Sequence, residues 1–265
     1  MERYGYLVGG RLGDFIHVLY VIYINYRIHQ VEGDIYLTDA LQFGAVPFQY
    51  PLRETKKELE EFLSHCAPYV KNIYLLEENP IDKMQYKKIV NLNDWRSRTG
   101  ASEWLLRLHD TYDVPICSDA WCMPSPTWVV PPINSKYIVL HRSLRRHNPS
   151  FPWEAILKNL ETLSIPIYFI TCDVCEYMYF PYKERVELKK CNTLLEKAYW
   201  ISHAHIVVGN QSAPMAMSLA FGKKSIVELH IENMHDSVSY MNTLMAQGQV
   251  FYYLNESVFR TIKYT

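Results

Sequence analysis

The apolar positions at the start of the chain come as a block, Tyr4-Gly5-Tyr6-Leu7-Val8, which Gly9-Gly10-Arg11-Leu12-Gly13 breaks before a long helical pattern over residues 14–30. The chain therefore opens as strand, glycine turn, helix. Ile35-Tyr36-Leu37-Thr38 predicts a second strand, and residues 52–64, with Leu59, Phe62 and Leu63 at helical spacing among Glu and Lys, predict a surface helix. Strands follow at 72–76 and 88–92, and a helix at 102–111.

Pro124, Pro126, Pro131 and Pro132 crowd the stretch 123–132, where proline denies the chain both helix and central strand, so it reads as an interdomain linker. Beyond it the alternation restarts. Strands are predicted at 136–141, 166–171, 205–208, 225–229 and 250–253, and helices at 152–163, 194–202, 214–221 and 256–262. Such alternation forces parallel strands with helices on both faces. The expected architecture is α/β: two Rossmann-like doubly wound domains, residues 1–125 and 133–265, facing a cleft.

Composition narrows the function. With 49% hydrophobic residues the chain can bury a core, which excludes disorder. Lys and Arg total 27 against 28 Asp and Glu, so no global field holds nucleic acid or an anionic membrane, while a local basic pocket for a phosphate-bearing small molecule stays open. Six cysteines in 265 residues are too sparse for a disulfide scaffold and point to a reducing compartment. The N-terminus carries no leader-like apolar segment, and the most apolar stretch, 15–28, is broken by His17, Asn25 and Arg27, so a cytoplasmic protein with no membrane span is expected. The 21 tyrosines have no functional account at this level.

In doubly wound domains ligands sit at the carboxyl ends of strands, which singles out three segments. The first is the turn with Gly10, Arg11 and Gly13, followed by Asp14 and, one helical turn on, His17. Asp14 is either a cap accepting a first-turn amide hydrogen or a carboxylate offered to a ligand. A nicotinamide fingerprint fits poorly, because the spacing is not Gly-x-Gly-x-x-Gly, although Asp39 lies about where a ribose-binding acid would. The second segment, His141 to His147, holds Arg142, Arg145 and Arg146 and suits a diphosphate, unless it is a solvated basic loop. The third is Gly209, Asn210, Gln211, Ser212 and Ala213, a strand end leading into a helix whose first amides can hold an anion, or an ordinary cap followed by Pro214.

Taken together, Gly-x-x-Gly-Asp near the N-terminus, a strand with a basic loop before Phe151-Pro152-Trp153, and Val208-Gly209-Asn210-Gln211-Ser212-Ala213-Pro214-Met215 before Ala220-Phe221-Gly222-Lys223 resemble the heptosyltransferase-type glycosyltransferases of GT-B fold. The resemblance implies Asp14 as catalytic base, with Gly10, Arg11, Gly13 and His17 on the acceptor side. It implies donor phosphate on Arg142, Arg145 or Arg146, the donor diphosphate on the turn from Gly209 to Ala216, and an acid touching the donor ribose, Asp173 or Glu176. Gln211, Ala213 and Ala216 replace residues usual in that family (Asp, Gly and His), so a heptose donor is not implied.

Other groups carry less. Cys172-Asp173-Val174-Cys175 has no second cysteine pair to complete a metal site, His203 and His205 flank a buried strand, and Trp95 and Trp104 suit packing better than stacking a sugar. The expected function is an inverting, metal-independent glycosyltransferase that needs no cofactor, with a nucleotide sugar and a glycan or other hydroxyl acceptor as its partners. A nucleotide-linked oxidoreductase or epimerase, and an inactive sugar-nucleotide binding module, are the alternatives.

Overall fold

The structure is a computed structural model and describes residues 3–48, 50–97, 104–115, 123–126 and 136–230. The chain divides into two compact units, Met1–Pro124 and Ser125–Thr265.

The first unit runs β1 (Tyr4–Val8), α1 (Leu12–His29), β2 (Gly33–Leu37), α2 (Leu52–Cys66), β3 (Val70–Leu75), β4 (Lys88–Asn91) and α3 (Trp104–Tyr112). Its four strands are all parallel, in the order β3-β2-β1-β4. Both central strands are buried along their whole length, as strands covered on both faces must be, which is why they read as unbroken apolar blocks. From Phe15 to Ile22 every residue of α1 is buried, including His17, so this stretch of the helix is enclosed rather than amphipathic. It ends where Gln30 takes a left-handed conformation (φ 55°) and its N–H bonds back to the Tyr26 carbonyl. The more amphipathic α2 turns Leu59, Phe62, Leu63 and Cys66 inward.

Strict alternation fails between β3 and β4. In place of an α-helix the chain makes a short 3-10 turn, Lys83–Gln85, capped by the Asp82 side chain. It then lays the Tyr86 ring on β1, where the missing side chain of Gly5 leaves room; a β-carbon there would stand 3.3 Å from the ring. Tyr86 hydrogen-bonds the Tyr36 hydroxyl at 2.7 Å and donates to buried Asp34, which also accepts from Asn72 and pairs with Arg3. Tyr36 also packs on Tyr74. Part of the tyrosine content is thus a polar aromatic layer on the sheet where a crossover helix is absent.

The second unit runs β5 (Ile138–His141), α4 (Trp153–Glu161), β6 (Ile167–Thr171), α5 (Val174–Met178), β7 (Glu187–Lys190), α6 (Leu194–His203), β8 (Ile206–Asn210), α7 (Ala213–Ala220) and β9 (Ser225–Glu228). The sheet is parallel with order β7-β6-β5-β8-β9. Its core gathers Leu140, Trp153, Leu157, Phe169, Phe180 and Val208. In each unit the strand order reverses about the first strand, placing the switch points at β1/β4 and β5/β8.

The sequence pattern missed β7 and the five-residue α5. The predicted strand at 250–253 and helix at 256–262 lie outside the described residues, as do most of the predicted linker, Cys117 and Cys122. Among the described residues Cys66, Cys172, Cys175 and Cys191 are free, and no helix is long and apolar enough to cross a membrane.

Candidate functional site

In the second unit, β5 and β8 end side by side, with His141 paired in register with Gly209. Gly209 is required there, since a β-carbon would overlap the His141 carbonyl oxygen. Beyond this contact the arginine loop and the start of α7 are tied together by Asn210, which is fully buried. Its Oδ1 accepts the Ser143 N–H at 3.0 Å, and its Nδ2 donates to the Ser143 hydroxyl at 3.0 Å and to the Arg145 carbonyl. Asn210 therefore turns inward, and its amide serves the loop rather than a ligand.

Arg142 also turns inward. Its Nε and Nη2 each lie 2.7 Å from the Glu228 carboxylate at the end of β9, a two-point pair with Glu228 fully buried. Its charge is met within the protein by that carboxylate. Arg145 and Arg146 remain on the outward turn of the loop, half-buried or exposed, and Arg146 sits in the left-handed region at φ 58°. His147 closes the loop by donating from Nε2 to the Ser143 carbonyl.

Ser212 occupies the N-cap position of α7, yet its side chain makes no cap; the hydroxyl donates to the Asn210 carbonyl at 3.1 Å instead. The ordinary cap expected as one alternative is therefore not made by this side chain. Pro214 sits in the first turn, and Gln211 accepts the His230 N–H at 3.1 Å.

Glu176, on α5, is drawn to the end of β6, where the Thr171 hydroxyl hydrogen-bonds its carboxylate and His141 Nδ1 lies 3.8 Å away. Burial raises the Glu176 pKa, with Lys197 and Arg145 opposing the shift. Burial, reinforced by Lys197, pushes the His141 pKa down to about 3, so the imidazole is neutral and donates from Nδ1 to the Ile170 carbonyl. The 3.8 Å approach is thus not an ion pair. Asp173, the other acid considered, caps α5 by accepting the Cys175 N–H at 2.9 Å.

In the first unit, Gly10 takes φ 105° and Gly9 lies against Thr38 and Ala45, closing the turn after β1. The Gly9 N–H donates to Asn93 at 2.8 Å, a buried partner that the sequence reading passed over. The N-cap of α1 is exposed Arg11, with no side-chain cap, followed by Leu12 and Gly13. Asp14 is the third helical residue and partly buried, so it is not the N-cap; its carboxylate stands in the first turn, where the helix dipole favours a negative charge. His17, one turn on, is buried.

The lesser candidates separate. Asp39 is exposed beyond β2, and Trp95 is buried in the first unit. His203 packs its ring on Tyr199 at the end of α6, and His205 precedes β8, at the opposite end of the sheet from the loops above. Among the described residues no three His, Cys, Asp or Glu side chains are grouped to hold a metal ion.

All-parallel sheets whose order reverses about the first strand define Rossmann-like α/β units. Solved structures narrow the fold to that of heptosyltransferase-type glycosyltransferases. Escherichia coli ADP-heptose LPS heptosyltransferase II superposes with a TM-score of 0.54 at 9% identity, over 96% of this chain and 91% of that one. The iron-containing dodecameric glycosyltransferase TibC of enterotoxigenic E. coli H10407 superposes with a TM-score of 0.54 at 12% identity, over 85% of this chain. TibC in complex with ADP-D-beta-D-heptose gives 0.53 at 11%. The match spans only 58% of the TibC chain. No protein-family model and no curated protein matches by sequence. At these identities the likeness establishes the fold alone.

Proposed function

We propose that this chain is a glycosyltransferase that moves a sugar from a nucleoside-diphosphate donor to a hydroxyl acceptor with inversion. The observation that carries the reading is the β5/β8 switch point, where Asn210, just ahead of α7, holds the backbone of the arginine loop at Arg145, and the Ser212 side chain makes no cap on the helix. Guanidinium groups and the positive end of a helix together suit a diphosphate, and Glu176 beside them suits a ribose hydroxyl. Gly209, Gln211 and Ala213 line the same turn; Asn210 and Arg142 support it.

In this reading the Asp14 carboxylate takes the proton of the acceptor hydroxyl, whose oxygen bonds to the anomeric carbon as the bond from that carbon to the diphosphate breaks. The departing negative charge falls to Arg145, Arg146 and the helix amides. Gly10, Arg11, Gly13 and His17 shape the acceptor side. The reading assigns no step to a metal or other cofactor, although TibC is described as iron-containing. Free cysteines and the absence, among the described residues, of a membrane-spanning helix accord with a cytoplasmic site of action.

The test is a thermal-shift panel of nucleoside diphosphates, nucleotide sugars and NAD. A ligand that binds only the folded state raises the melting temperature. The reading expects nucleoside diphosphates and one nucleotide sugar to do so and NAD not to; a response to NAD alone would favour the oxidoreductase alternative.

A further inference from the structure

We propose that Glu228, at the carboxyl end of β9, is a positioning residue that sets the arginine loop for diphosphate binding; the inference rests on reading that loop as the donor site. Glu228 is fully buried, and four donors converge on its carboxylate: Arg142 Nε and Nη2 at 2.7 Å each, the Asn148 N–H at 2.7 Å, and Trp153 Nε1 at 3.3 Å. Arg142 and Asn148 are the two ends of the loop, and Trp153 opens α4 directly after it. A single carboxylate thus holds the loop's entry, its exit and the next helix.

The middle of the loop is held separately, by Asn210 on Ser143 and Arg145. Two buried side chains from the two neighbouring strand ends therefore fix a segment in which Arg146 keeps a left-handed backbone that an unconstrained arginine avoids. Strained backbone of this kind persists where surrounding contacts overdetermine it. The structural result is that Arg145 and Arg146 stand at one place on the rim of the β5/β8 switch point. Arg142 is the strut, and Glu228 its socket.

This assignment and direct phosphate binding by Arg142 predict opposite signs. Glu228→Gln removes the counter-charge of Arg142. If Arg142 bound phosphate itself, releasing it would tighten binding of ADP and UDP; if it is a strut, the loop loosens and binding weakens, by about tenfold or more. Titration calorimetry with ADP and UDP on Glu228→Gln, Arg142→Lys, Arg145→Ala and Arg146→Ala decides, with circular dichroism confirming that each variant is folded. The expected result is weaker binding in all four, including Arg142→Lys, which keeps the charge but loses the two-point pair. The Trp153 indole proton resonance should shift in Glu228→Gln as its acceptor changes. Where Glu228→Gln does not fold, Glu228→Asp, which keeps the charge but draws it away from Arg142 and so gives the same opposite signs, carries the test. Unchanged or tighter binding in the two strut variants, with loss in Arg145→Ala and Arg146→Ala, overturns the positioning role and leaves the donor site standing. No loss in any variant overturns the donor site, and the positioning role with it.

Discussion

The carbonyl oxygen of His141 lies against the α-carbon of Gly209, so close that a β-carbon there would overlap it. These residues end adjacent parallel strands, and the contact sets the spacing from which both the arginine loop and α7 depart. Gly209→Ala should cost about 1 to 3 kcal/mol, the range for forcing an extra carbon into a closed space, and should lower nucleoside-diphosphate affinity as the strand ends part. Urea denaturation beside calorimetry measures both. Undiminished stability would mean the two strands separate freely and the glycine has no packing role.

Arg146 offers a second test, because its backbone conformation and its charge can be separated. At φ 58° glycine is at ease and alanine is not. Arg146→Gly should therefore be more stable than Arg146→Ala, by about 1 kcal/mol. Both should lose nucleoside-diphosphate affinity, by about 1.5 to 3 kcal/mol, the worth of a charge-assisted hydrogen bond. If the glycine variant kept full affinity, the guanidinium would not be a ligand contact.

How much of this was visible beforehand depended on how local each signal is. β1, β5 and β8 are buried on both faces, so each is written as an apolar block, and the glycine turns after β1 and β8 stand out against them. Among the described residues β7 is an edge strand, Glu187-Leu188-Lys189-Lys190, half exposed and paired with β6 alone, and it carries no such block. The three arginines were legible as a cluster but not their division of labour. The carboxylate that takes Arg142 lies 86 residues further on, at the end of an apolar strand, and only the sheet order brings it near. A lone acid interrupting the apolar residues Ile226, Val227 and Leu229 was the one signal available.

The neutral, buried His141 makes stability depend on pH. Its folded pKa, about 3, lies below the ordinary value of 6.5, so between them the unfolded chain holds the proton more tightly. Stability contributed by the neutral ring is full above that window and is lost as pH falls through it. Glu176 acts with the opposite sign: its raised pKa lends stability at low pH that is lost as pH rises through the folded value. Between pH 6.5 and 4.5 the native protein should lose roughly 2 kcal/mol that His141→Asn, which keeps a donor for the Ile170 carbonyl, does not lose. Parallel stability curves for the two proteins over that range would show that His141 titrates normally.

The assignment of leaving-group charge to arginines and helix amides predicts that transfer survives excess EDTA. Activity abolished by the chelator and restored by manganese or iron would move that charge to a metal.

Asp14 separates an enzyme from an inert sugar-nucleotide binder. It is the third residue of α1 and not its N-cap, a position that belongs to Arg11. A negative charge in a first helical turn is favourable by about 0.3 to 1 kcal/mol. Asparagine keeps the size of the side chain and an oxygen acceptor, so Asp14→Asn should change the melting temperature little. If Asp14 accepts the acceptor's proton, the same substitution should lower turnover by about 10² to 10⁴-fold, because general-base assistance acts in the transition state. Affinity for nucleoside diphosphates should stay as it was, since the proposed diphosphate contacts lie in the second unit. Turnover with the identified donor, read beside calorimetry with ADP or UDP, distinguishes the outcomes. Normal turnover in a normally folded variant would remove Asp14 as the base, and buried His17, one turn along the helix, would be the next group to test.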